Sequence, residues 1–135
     1  MMKKVLIIED ETAAAVNLQA ILCKVLPQHE VITILESVEE AVEFFEDESQ
    51  PTPDLVFLDI DMPGTSGFSL AEYMTMHHKE VPYVFLTGYA NFAAKSYDYE
   101  PVDFLTKPID LVRLQKTFER LDKTETKPES GRIAL

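Results

Sequence analysis

A single cysteine, Cys23, stands in the whole chain, so no disulfide framework can form within one copy, and a reducing compartment suits it. Glycine is scarce too. Gly64, Gly67, Gly88 and Gly131 are the full set, and nothing resembles the GxxxxGKS or GxGxxG loops that cradle nucleotide phosphates. Basic residues are outnumbered, 12 Lys and Arg against 24 Asp and Glu, which leaves a formal net charge of −12. That balance argues against a nucleic-acid backbone or an anionic membrane surface as a partner of this domain. Long hydrophobic runs are missing as well. The first apolar run follows Lys3 and Lys4 and stops at Glu9, too short for a signal peptide or a membrane span. The expectation is a soluble, cytoplasmic chain.

What is present centres on Pro53–Gly67, PDLVFLDIDMPGTSG. Leu55–Leu58 is fully apolar and ends on Asp59, with Asp61 two places on and Pro63, Gly64 and Gly67 breaking the chain behind it. Such a run reads as a strand buried on both faces of a parallel sheet. Ligands of open parallel sheets bind outside the carboxyl ends of the strands, which is where Asp59 falls.

The 135 residues suffice for one domain with a core and are too few for two. Val5–Ile8 is a second apolar run ending on acids, Glu9, Asp10 and Glu11. Thr12–Leu26 carries Ala14, Leu18, Ile21, Leu22 and Val25 at helical spacing and is stopped by Pro27. Val31–Leu35 reads as a strand. Ser37 and Glu40 make a capping box for a helix with Val38, Ala41, Val42 and Phe45 on one side and a solvated acidic face on the other. A helix over Phe68–His77, a strand over Val81–Leu86 ending on Thr87, and a short helix from Asn91 through Tyr99 follow. Val102–Leu105 is the last strand and leads into Thr106, Lys107 and Pro108. Asp110 then caps a helix with Leu111, Leu114, Phe118 and Leu121 on one face. From Asp122 the chain is polar and reads as a linker. Five strands alternating with five helices predict a doubly wound parallel sheet.

In such a sheet the strand ends carrying Glu9 and Asp10, Asp59, Thr87 and Lys107 share one edge. Clustered carboxylates repel, and a hard divalent cation such as Mg²⁺ relieves the repulsion. A carboxylate beside a metal, a hydroxyl and an ammonium has what is needed to receive a phosphoryl group. Asp59 is the nucleophile, Mg²⁺ and Lys107 neutralise the equatorial oxygens, and Thr87 donates a hydrogen bond. With no nucleotide loop, the donor class indicated is a protein phosphohistidine or a small acyl phosphate.

The segments Ile7–Glu11 (IIEDE), Phe57–Gly67 (FLDIDMPGTSG), Leu86–Tyr89 (LTGY) and Asp103–Pro108 (DFLTKP) together resemble the receiver domain of bacterial two-component response regulators. The resemblance covers about residues 3–122. It implies a flavodoxin-like fold with sheet order 2-1-3-4-5 and a signalling domain rather than an enzyme. It makes Asp59 the phosphoacceptor and Glu9 and Asp10 the acidic pair, with Asp10 favoured as direct Mg²⁺ ligand. Asp61 would offer its backbone carbonyl to the metal. Thr87 becomes the switch hydroxyl, Lys107 the phosphate-binding lysine, Phe104 the switch aromatic, and Lys107–Pro108 a cis bond. A sensor histidine kinase is the implied phosphoryl donor. The face of the fourth helix, fifth strand and fifth helix is an implied homodimer surface. Glu9 in place of the commoner Asp, Asp61 at a variable position, and Phe104 without a tyrosine hydroxyl are the departures.

Tyr89–Pro108, with Tyr99-Glu100-Pro101 before the last strand, resembles the branch of regulators carrying a LytTR-type DNA-binding domain, and Arg132–Leu135 looks like the opening strand of one. The division expected is a receiver at 1–122, then a linker and the start of an output domain at 123–135. A stand-alone receiver is the alternative. A haloacid-dehalogenase-like phosphatase shares the DxD pattern of Asp59 and Asp61, but Pro63 and an acidic pair placed earlier in the chain count against it. A flavodoxin lacks its phosphate cradle in the first loop, EDETAA. His29, His77 and His78 read as surface residues, Cys23 as a structural neighbour of the core, and Met62, Met74 and Met76 as packing or loop residues.

Overall fold

The computed structural model describes residues 2–62, 64–89 and 98–126. Strands β1 (Lys3–Ile8), β2 (His29–Leu35), β3 (Leu55–Asp59), β4 (Tyr83–Thr87) and β5 (Asp103–Thr106) alternate with helices α1 (Thr12–Val25), α2 (Val38–Glu46), α3 (Gly67–His77) and α4 (Leu111–Thr126). The sheet is parallel throughout, in the order β2-β1-β3-β4-β5. That is the expected flavodoxin-like order.

The expectation of five helices needs correction, because four are found among the described residues. The segment expected as a helix from Asn91 through Tyr99 lies outside the described residues as far as position 97. Asp98 and Tyr99, where description resumes, form a turn and a bend. Two influences, one local and one tertiary, keep Asp98 and Tyr99 out of helix. Pro101 biases the residue before it away from helical backbone. Tyr99 is also claimed by tertiary contacts: its ring stacks on Phe68 at 5.0 Å and its hydroxyl donates to Glu72 at 3.1 Å.

The strands are apolar in consecutive residues because both faces are covered. Val5, Ile7, Leu55, Phe57 and Val84 face Leu18 and Leu22 of α1 and Leu114, Phe118 and Leu121 of α4. Leu6, Ile8, Val56, Leu58 and Phe85 face Val38, Ala41 and Phe44 of α2 and Phe68, Leu70 and Met74 of α3. Phe44 rather than Phe45 is thus the buried aromatic of α2; Phe45 is half-buried.

Helix ends follow local chemistry. Ser37 Oγ accepts the Glu40 amide at 3.1 Å, while the Glu40 carboxylate accepts the amide of Glu36, one residue ahead of the usual capping-box partner. Asp110 Oδ2 accepts the Arg113 amide at the start of α4. That helix continues to Thr126, into the polar stretch that begins at Asp122. Cys23 is exposed, next along α1 to the fully buried Leu22. Met62 and Met74 are buried, whereas Met76 is exposed. His78 is half-buried, its imidazole 4.8 Å from the Phe45 ring.

Candidate functional site

The parallel sheet sets every strand's carboxyl end along one edge, and the register fixes what meets there. Asp59 pairs with Leu86 and Thr87 with Thr106. Beyond the strands, the Ile60 amide donates to the Leu86 carbonyl at 2.9 Å and the Lys107 amide to the Thr87 carbonyl at 2.7 Å. These bonds carry the sheet's order one step past its ends, so side chains from four strands converge on anchored backbone. The Lys107–Pro108 bond is cis.

Gly67 lets the loop after β3 close on the site. A β-carbon at Gly67 would collide with the Asp59 carbonyl oxygen. Gly64 has φ +83°, in the left-handed region that glycine adopts at little cost.

Asp59 and Glu9 are nearly withdrawn from water, at 1% and 2% exposure. Oxygens of Glu9, Asp10 and Asp59 all lie within 4.8 Å of one another. Lys107 Nζ stands between the buried acids, 2.6 Å from Glu9 Oε1 and 3.2 Å from Asp59 Oδ2, and 3.4 Å from Glu11 Oε1 at the rim. Burial pushes the Glu9 carboxyl up to about 7, with the Asp59 carboxyl adding to the rise and Lys107 opposing it. Burial works against the charge of Lys107 as well, but Glu9 and Asp59 outweigh it and raise that pKa above its ordinary value.

Residues of this kind fit a hard divalent cation. Glu9 Oε1 is buried and, despite the ion-pair contact with Lys107, has no hydrogen bond of proper geometry. Its other oxygen accepts the Glu11 amide at 3.1 Å. Glu9 Oε1, buried against the Lys107 ammonium, together with the oxygens of Asp10 and Asp59 forms the kind of donor set that Mg²⁺ takes, completed by waters and a carbonyl.

Two features were not legible in the sequence. Thr87 is fully buried, and its hydroxyl donates to the side chain of Asp61 at 2.6 Å. The resemblance marks Asp61 for its backbone carbonyl and for a side chain at a variable position, but not for this partner, and only the β3–β4 pairing brings the two residues together. The second is Asp103, read only as part of the DFLTKP motif. It is buried and accepts from both terminal nitrogens of Arg113, from Arg120 at 2.7 Å and from Thr117 at 2.8 Å. An Asp opening a strand, followed by Arg113, Thr117 and Arg120 at helical spacing, was the available signal. Phe104, the next residue, is half-buried against the α2–α3 side of the core.

This sheet order, with acids closing β1 and β3 and a lysine closing β5, defines a signalling receiver module of the flavodoxin-like class. The model of the family "Response regulator receiver domain" matches residues 5–119. The chain is 37% identical over 129 residues to the transcriptional regulatory protein BtsR of Escherichia coli (strain K12), covering 95% of this chain and 52% of that protein. It is 34% identical over 122 residues to the sensory transduction protein LytT of Bacillus subtilis (strain 168), covering 90% and 49%. Among solved structures, the REC domain of AraT, a response regulator from Geobacillus stearothermophilus, superposes with a TM-score of 0.78 at 28% identity, over 94% of this chain and 98% of that one. The chain belongs to the response regulator receiver domain family, and it spans about half the length of the curated relatives it matches. Among the described residues, no helix is long and apolar enough to cross a membrane.

Proposed function

We propose that Asp59 is the phosphoacceptor of this receiver, taking a phosphoryl group from the phosphohistidine of a sensor kinase. The observation that carries the reading is a buried carboxylate at a strand end with an ammonium 3.2 Å away and two further acids beside it. An Asp59 oxygen attacks phosphorus, the P–O bond forms as the P–N bond breaks, and the electron pair leaves with the imidazole, which takes up a proton. Lys107 holds charge on the phosphoryl oxygens, and Asp10, Glu9, Asp59 and the Asp61 backbone carbonyl would hold the metal. When bound, Mg²⁺ supplies positive charge to the same oxygens and relieves the crowding of the acids.

Thr87 is then the switch hydroxyl, turning toward the phosphoryl group, and Phe104 the aromatic whose burial follows. The face formed by β5 and α4 carries the signal, through homodimer contact or an output domain. We assign the chain to a longer regulator with a LytTR-type DNA-binding output. Two observations support this: Tyr99-Glu100-Pro101 before β5, and relatives of about twice the length, one of them named a transcriptional regulatory protein.

Intact mass after incubation with acetyl phosphate tests the acceptor. One added phosphoryl group is expected with Mg²⁺, none with chelator, and none for Asp59→Asn. Undiminished labelling of Asp59→Asn would move the acceptor elsewhere.

A further inference from the structure

Two donors converge at the end of β4. The Thr87 hydroxyl donates to Asp61 Oδ2 at 2.6 Å, and the Gly88 amide donates to the same oxygen at 3.1 Å. The Tyr89 amide donates to Thr87 Oγ1 at 3.1 Å. That bond engages the acceptor side of the hydroxyl and leaves its proton for Asp61. The opposite end of Asp61 is tied to Asp59, for its own amide donates to Asp59 Oδ1 at 2.9 Å. One residue therefore bridges the Asp59 carboxylate and a pair of donors aimed at a single anionic oxygen. Thr87 is fully buried and Asp61 half-buried, so the hydroxyl–carboxylate bond is partly shielded from competition with water, whereas the Gly88 bond lies at the exposed rim.

We infer that the Asp61 carboxylate is an internal stand-in for a phosphoryl oxygen, occupying the Thr87 hydroxyl and Gly88 amide until a phosphoryl group on Asp59 displaces it. The inference rests on the reading of Asp59 as acceptor. An oxygen on phosphorus at Asp59 gains little from donors that a carboxylate already holds through charge-assisted bonds. It must first break them, and the displaced carboxylate stays nearby as a like charge. Asp61 is in this sense a positioning residue. It acts through Thr87 and Gly88 and sets how hard the switch is to throw, apart from any part its backbone carbonyl plays toward the metal.

Binding of beryllium fluoride with Mg²⁺, a phosphoryl analogue that transfers nothing, separates the possibilities in four chains: wild type, Asp61→Ala, Thr87→Val and the double variant. With the Thr87 hydroxyl in place, Asp61→Ala is expected to tighten binding about tenfold, on the scale of one charge-assisted hydrogen bond. In the Thr87→Val background, where that hydroxyl is gone, the same change should gain less than about threefold. An equal gain in both backgrounds means that the carboxylate acts by charge alone and overturns the inference. So does the absence of any gain. Asp61→Asn keeps an acceptor oxygen without the charge and should fall between wild type and Asp61→Ala.

A second measurement needs no analogue. In the unmodified protein, the Gly88 amide resonance should move upfield and its hydrogen exchange should quicken in Asp61→Ala. A Gly88 resonance that stays in place overturns the inference directly. Should the analogue bind none of the four chains while Gly88 responds, the acceptor reading has failed and the competition falls with it, although the hydrogen bond stands.

Discussion

Lys107 serves two buried acids at once, and that decides what its loss does. Glu9 and Asp59 sit side by side almost without water, where like charges are costly unless a cation stands among them. Lys107→Ala should lower the stability of the metal-free protein by about 3 kcal/mol, less whatever Glu9 recovers by taking up a proton. Mg²⁺ should restore part of the loss. Denaturant unfolding with chelator and with Mg²⁺ reads both effects, and equal stability of variant and wild type in chelator would deny Lys107 that role. Asp103 carries the acid sensitivity. Burial pushes its pKa up, but Arg113, the Phe104 amide and Thr117 outweigh burial and leave it below its ordinary value of 3.8. A depressed carboxyl stabilises the fold above its unfolded pKa, and the contribution is lost as pH falls through the folded value. Asp103→Asn should therefore cost about 1.5–3 kcal/mol at neutral pH. The difference should shrink below pH 3.8, as acid titrations of the two proteins will show; a pH-independent difference would refute the linkage.

At the scale of the element, two helix starts do different work. The start of α2 is a matter of local stability: Ser37→Ala removes a cap and should cost about 1 kcal/mol with labelling of Asp59 unchanged. The start of α3 is built against the site. Any side chain at Gly67 meets the Asp59 carbonyl, a backbone atom that can move only by shifting the end of β3. Gly67→Ala should cost about 1–3 kcal/mol through overpacking and should also slow labelling by acetyl phosphate. Normal labelling kinetics in a destabilised Gly67→Ala protein would confine the glycine to a folding role. The end of α4 is an element-scale lesson too. Asp122–Thr126 are polar enough to pass for linker, yet they continue a helix already nucleated and packed through Leu114, Phe118 and Leu121.

For the whole molecule, the expectation is a change of surface on phosphorylation. Sedimentation of the labelled protein should become concentration-dependent while the unmodified chain stays monomeric. Phe104→Ala should accept the label without that change. A labelled wild type that never self-associates would leave contact with an output domain as the route for the signal. The parallel sheet and the residues at its edge were legible in the chain because both-sided burial writes itself as consecutive apolar residues, and strand ends announce themselves as Asp59, Thr87 and Lys107; the strand order came from the resemblance of the motifs to the receiver family. Parallel topology then leaves few ways to arrange them. Sequence by itself therefore determined the class of fold and which side chains share an edge. Tertiary structure alone decided who binds whom there: Thr87 to Asp61 rather than to solvent, Asp103 to Arg113 and Arg120, Tyr99 to Phe68 in place of a helical turn. The physical reason is range. Periodicity and capping act over a few residues, whereas these contacts join positions 10 to 31 residues apart that only strand register and helix packing bring within bonding distance.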